Sequence, residues 1–131
     1  MIEINKFFYK TFFFILIFFP TIVEGKSLSI GNSEAKITVK VFSSLTCPHC
    51  ADFHSSVFFN LKKDFIDKGL VKFEHHAFPL DLAALNAEMI VRCHVDNKKK
   101  FEILEKIYEK QKDWAKGSDI KRINDSIKKI G

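Results

Sequence analysis

Cys47-Pro48-His49-Cys50 places two thiols with two residues between them, close enough to join as a disulfide across one helical turn. If a helix begins at this motif, Pro48 suits its first turn, where a missing N–H costs nothing. Cys47 then faces the unpaired N–H groups and the positive end of the helix dipole. His49 can add a second positive charge. Both favour thiolate at Cys47, and thiolate is the form that attacks disulfides. Cys50 falls on the apolar side of the same helix, so it is expected to be the less exposed thiol and to resolve the mixed disulfide.

Other chemistries fit the spacing less well. A c-type haem site needs His directly after the second Cys, where this chain has Ala51. Structural zinc needs four ligands. His54, one turn after Cys50, is a candidate third, and a fourth would have to come from His75, His76 or Cys93 folding close. A metal-binding, copper- or zinc-handling protein using Cys47, Cys50 and His54 is therefore the alternative from another class. A purely structural bridge would close a very small loop and so constrain the unfolded chain little. Redox catalysis is the preferred reading, with no metal and no cofactor. His54, His75 and His76 are otherwise expected to be packed or solvated side chains.

The elements that must hold the motif are legible on either side. Residues 36–42 alternate, with Ile37, Val39 and Val41 on one face and Lys36, Thr38 and Lys40 on the other, which predicts a strand. Ser43-Ser44-Leu45-Thr46 breaks the alternation. Cys50, Phe53, His54, Val57, Phe58 and Leu61 then recur at helical spacing, to about Lys68, with Gly69 as a stop. Residues 70–78 predict a second strand with Val71, Phe73, His75 and Ala77 on one face. A strand–helix–strand series of this length suits a βαβ unit with parallel strands. Gly31-Asn32-Ser33 reads as a turn, preceded by a short strand at 28–30.

From Asp81 the period becomes helical. Leu82, Leu85, Met89 and Arg92 mark one stripe, with Ala83, Ala87, Ile90 and His94 beside it. Phe101, Leu104, Ile107 and Tyr108 mark a second helix. Ile120, Ile123, Ile127 and Ile130 mark a third, for which Ser118 is the expected N-cap. Cys93 lies within the first of these helices as a candidate buried small hydrophobe.

Residues 1–25 read as an export signal: Lys6 and Lys10, then an apolar run from Thr11 to Phe19 ended by Pro20, then small Val23 and Gly25 before Lys26. The run is short of the ~20 residues that span a bilayer, although an uncleaved N-terminal membrane anchor is the alternative. Export places the dithiol in an oxidising compartment. The chain of 131 residues, 47% hydrophobic and 28% charged, is enough for one packed domain and argues against wholesale disorder. Its net charge of +5 is spread over helices, with one run at Lys98-Lys99-Lys100, and no basic patch interleaved with exposed aromatics points to nucleic acid.

The motif, with its preceding Ser44-Leu45-Thr46, and the later Phe78-Pro79-Leu80-Asp81 resemble the DsbA-like thiol–disulfide oxidoreductases of the thioredoxin superfamily, with the match running from about Gly31 onward. The resemblance implies an α/β fold: a thioredoxin-like βαβ part at 26–80 with the CxxC site, and a helical insertion at 81–131. It implies a periplasmic disulfide oxidase with Cys47 and Cys50 catalytic and Pro48 and His49 stabilising the thiolate. Its partners would be exported proteins with reduced cysteines and a membrane or soluble redox partner that reoxidises it; a reductase or isomerase is the alternative within the class. Some relatives carry a second disulfide in the insertion, a role open to Cys93, for which this chain has no partner. Two departures stand out. Val41 occupies the place of a buried carboxylate six residues before the first Cys. The C-terminal β-hairpin, final helix and cis-proline loop of the family have no counterpart, so the chain is expected to be truncated and its two strands find no later strand to pair with.

Overall fold

The computed structural model describes residues 27–130, and the export signal read at 1–25 lies outside them. Among the described residues no helix is long and apolar enough to cross a membrane. Three strands form the sheet: β1 (Leu28–Gly31), β2 (Ile37–Ser43) and β3 (Val71–Ala77), in the order β1-β3-β2. β2 runs parallel to β3, pairing Ile37 with Val71 and Ser43 with Ala77, as the βαβ reading requires. β1 lies antiparallel on the other side, pairing Leu28 with His75 and Gly31 with Lys72. β3 is therefore paired along both edges without any later strand. Gly31 turns at φ +94, and a Cβ there would stand 2.4 Å from the Val71 carbonyl oxygen, so only glycine fits where β1 leaves β3.

The motif helix, α1, starts as an α-helix at Pro48–Phe53. It passes through a π-helical turn at His54–Phe58, α-helical Phe59–Leu61 and a second π-helical turn at Lys62–Ile66. The N–H of Asp67 donates to the Lys62 carbonyl at 2.8 Å, five residues back. Gly69 ends it at φ +72, as expected from its type. The second layer comprises α2 (Leu82–Arg92), α3 (Asn97–Glu109), α4 (Gln111–Trp114) and α5 (Ile120–Lys128). The short α4 is additional to the three helices read from periodicity.

Phe58 of α1, Phe73 of β3 and Phe101 of α3 meet at the centre, with ring centroids 4.6 Å apart for the first pair and 6.2 and 6.1 Å for the others. Leu104, Ile107, Trp114, Ile123 and Ile127 extend this core through the helical layer. The burial of α2 differs from its apolar stripe. Leu82, Leu85 and Met89 are exposed, and Ala83, Ala84, Ala87, Glu88 and Val91 face inward. α2 packs on both α3 and α5, where small side chains let the helices approach closely. Helix α5 is capped by Asp119, whose carboxylate accepts from the Arg122 N–H, and not by Ser118. Cys93 is the exposed C-cap of α2 and not a buried mid-helix residue.

Candidate active site around Cys47 and Cys50

The loop between β2 and α1 is fixed from several sides. Leu45 points into the core, and the N–H of Cys47 donates to the Ser44 carbonyl at 3.1 Å. The Ser44 hydroxyl accepts from the Leu80 N–H at 3.3 Å, joining this loop to the one after β3. Gln111, at the start of α4, is 5% exposed, and its side-chain amide donates to the Leu45 carbonyl at 2.8 Å and the Cys47 carbonyl at 2.9 Å. The helical layer thus holds the backbone of the first cysteine. Gln111→Leu removes both bonds within a buried contact, so a loss of about 1–3 kcal/mol is expected in denaturant unfolding, with faster proteolysis at residues 44–47.

Cys47 is the N-cap of α1, extended at φ −78, with Pro48 in the first turn. Hydrogen bonds onto its sulfur, first from the Cys50 thiol, then from the backbone N–H groups of Cys50 and His49, hold its pKa below the ordinary cysteine value despite slight burial and the nearby Asp52. Burial pushes the Cys50 thiol up, and the neighbouring Cys47 sulfur adds to this, against a lowering bond from the Ser44 backbone. Both are half-buried free thiols. The His49 side chain is exposed at the helix start. Along the flank of α1 runs a groove of about 870 Å³ that meets α3 and α4, with Pro48, Ala51, Asp52, His54, Tyr108 and Gln111 among its lining.

Behind the loop lies a buried polar chain that alternation and helical spacing do not reveal. Tyr108 donates from its hydroxyl to Ser43 Oγ at 2.9 Å. Ser43 Oγ faces His75 Nδ1 at 3.2 Å, and His75 Nε2 faces Glu88 Oε2 at 3.1 Å. Arg92 Nε closes the chain on Glu88 Oε1 at 2.8 Å. Burial acts to raise the Glu88 pKa, but His75 and Arg92 outweigh it and hold the carboxylate below its usual range. Burial raises the Tyr108 phenol well above its ordinary value. The available signal was a polar residue interrupting an apolar face: Ser43 after Val41, His75 after Phe73, Glu88 beside Ala84 and Ala87.

His54 is 6% exposed and stacked on Tyr108, with centroids 4.1 Å apart and planes at 18°. His76 stacks on exposed Phe42. Among the described residues no three His, Cys, Asp or Glu side chains gather to hold a metal ion, so the set Cys47, Cys50 and His54 is not assembled as ligands.

A family model described as thioredoxin matches residues 24–129. Disulfide bond formation protein D of Bacillus subtilis is 39% identical over 96 residues, which cover 70% of this chain and 42% of that protein. A Rickettsia bellii relative, 30% identical, is likewise covered over 42% of its length, so the chain spans well under half of these curated relatives. Among solved structures, alpha-DsbA1 of Wolbachia pipientis superimposes with a TM-score of 0.73 at 26% identity, covering 82% of this chain and 53% of that one. Oxidised BdbD of Bacillus subtilis gives 0.62 at 25% identity, covering 79% and 66%.

Proposed function

Because the chain belongs to the thioredoxin family, in its DsbA-like branch, we propose that it exchanges disulfides through Cys47 and Cys50 and works as an oxidase on exported proteins. The observation that carries this reading is the placement of Cys47 at the N-cap of α1, where backbone N–H groups of Cys50 and His49 lower its pKa, while Cys50 packs against the core and burial raises its own. A stabilised Cys47 thiolate stabilises the reduced protein and makes the disulfide form the stronger oxidant. A substrate thiolate attacks Cys47 Sγ, the Cys47–Cys50 bond breaks, and Cys50 leaves as thiolate and takes up a proton. A second substrate thiolate then attacks the substrate sulfur of the mixed disulfide, releasing the product disulfide and the Cys47 thiolate. A membrane or soluble partner reoxidises the pair in the periplasm. Pro48 starts the helix that presents Cys47, and the His49 imidazole adds positive charge when protonated.

The test is the pH dependence of Cys47 alkylation in a Cys93→Ala chain. Cys47 should remain reactive well below the pH at which a free cysteine loses its thiolate. Cys50→Ala should raise the Cys47 pKa only in part, because the thiol donor goes while the backbone N–H groups stay. His49→Ala should raise it and give a weaker oxidant. An ordinary cysteine profile would defeat the oxidase reading, and a redox titration against glutathione separates oxidase from reductase.

A further inference from the structure

The groove along the flank of α1 opens at the motif, since Pro48 and Ala51 line it beside the two cysteines. α3 and α4 form its other wall and run the opposite way: Gln111 holds the Cys47 carbonyl, Tyr108 stacks on His54 further down, and Phe101 meets Phe58. α3 also packs on β1, at the far edge of the sheet from β2. The groove therefore lies on the side of α1 away from the outer edge of β2, and a strand added at that edge would leave it open.

The charges lining this groove are unbalanced. Asp52, Glu105 and Glu109 bring carboxylates, against the ammonium groups of Lys62 and Lys112, in a chain whose net charge is +5. Lys62 is committed elsewhere, its ammonium bonding both Asp67 oxygens at 2.9 and 3.0 Å. Lys112 is exposed. The half-buried Glu105 carboxylate makes no hydrogen bond or ion pair among the described residues. Burial raises its pKa; Lys62 opposes this, and Glu102 and Asp67 add to it. Glu105 and Glu109, four residues apart on α3, share a helix face, where like charges disfavour the helix. Between these acids and the motif the wall includes the His54 ring, 6% exposed, with no partner for either nitrogen among the described residues. A half-buried carboxylate without a partner costs stability that a cation in the groove would recover.

We propose that this groove seats a basic side chain, lysine or arginine, of the polypeptide that reacts at Cys47. This rests on the exchange reading above and extends it to the choice of substrate. An extended segment advances about 3.3 Å per residue, and α1 rises about 1.5 Å per residue. With the segment's cysteine at Cys47, its third residue from that cysteine is roughly level with Asp52 and Glu109, and its sixth roughly level with Glu105. An ammonium or guanidinium there pairs with these carboxylates, and the contact with half-buried Glu105 is the less screened by solvent. Elsewhere the net charge of +5 repels a cationic segment, so the attraction is confined to one that enters the groove.

The test uses the chain carrying Cys50→Ala and Cys93→Ala, and peptides with a single cysteine supplied as symmetric disulfides. The Cys47 thiolate attacks one sulfur, the peptide disulfide breaks, and one peptide stays bonded to Cys47 while the other leaves as thiolate; intact mass follows the adduct. Three peptides differ only in carrying lysine, glutamine or leucine at the third and sixth positions on both sides of the cysteine. The ratio of lysine-peptide to glutamine-peptide rates should be about fivefold higher in this chain than in one that also carries Glu105→Gln and Glu109→Gln. Any effect of lysine on the peptide's own sulfur is common to both chains and cancels. If the doubly substituted chain does not fold, Lys112→Glu, which adds a carboxylate at the exposed rim, should raise the ratio by about twofold. An unchanged ratio in either comparison, or a leucine peptide that outruns the lysine peptide in the starting chain, would overturn the proposal. No adduct with any peptide would remove the exchange reading itself, and the subsite with it.

Discussion

In the Cys93→Ala chain, Cys50→Ala makes a trap: Cys47 still attacks, the mixed disulfide forms, and no second thiol remains in the protein to release it. Covalent adducts with small disulfides should accumulate to near-stoichiometric amounts, and Cys47→Ala should yield essentially none. The asymmetry follows from the placement of the two sulfurs. Cys47 caps the helix and receives N–H groups from His49 and Cys50, whereas Cys50 is turned toward the core with its thiol donating to Cys47. Intact-mass measurement of the two variants after brief exposure to glutathione disulfide decides the matter. Faster alkylation of Cys50 than of Cys47 in the unsubstituted chain would reverse the assignment.

A second large effect is expected in acid. Folding takes His54 from an ordinary pKa near 6.5 to about 3. The unfolded chain therefore binds a proton that the folded chain refuses, so this contribution is fully present above about pH 6.5 and is lost as pH falls toward 3. The slope is about 1.4 kcal/mol per pH unit for one group. Glu88 acts in the same sense lower down, since its folded pKa is depressed and its contribution is lost as pH falls below the ordinary carboxylate range. Denaturant unfolding at successive pH values should show stability falling from about pH 6.5 downward. His54→Phe should flatten the fall between about pH 6.5 and 4.5 and make it shallower from there down to about pH 3, leaving only the carboxylate contribution that begins near pH 4.5. A profile level between pH 6.5 and 4.5 in the unsubstituted chain would contradict the burial of the imidazole.

What could be read from the chain was local. The strand–loop–helix around Cys47, the Pro48 start, the Gly69 stop and the inward face of Val71, Phe73 and His75 all depend on neighbours within a few residues, and the structure has them. α2 escaped because apolarity was weighed without size. Leu82, Leu85 and Met89 make the more hydrophobic stripe, but the face that meets other helices is the one built of Ala83, Ala84, Ala87 and Val91. The polar chain escaped because its members are far apart in sequence: His75 meets Glu88 across 13 residues, Ser43 across 32, and Tyr108 reaches Ser43 across 65. Each looks like a misplaced polar residue until its partner is beside it. Gln111 gave no signal at all, since a glutamine at a short helix start has many ordinary uses.

The two amide bonds of Gln111 also set an order in time. They join the loop carrying the first cysteine to a side chain made 64 to 66 residues later. At a synthesis rate of about 5–20 residues per second, that interval is roughly 3–13 s. β2 and most of α1 depend on nearer neighbours, while β1 must wait 47 positions from Leu28 for its partner His75. A nascent chain therefore displays its reactive dithiol for some seconds before the clamp that orients it exists. During that window Cys47 and Cys50 are governed by local helix formation alone, and any oxidant encountered then meets a less selective pair than the finished protein presents.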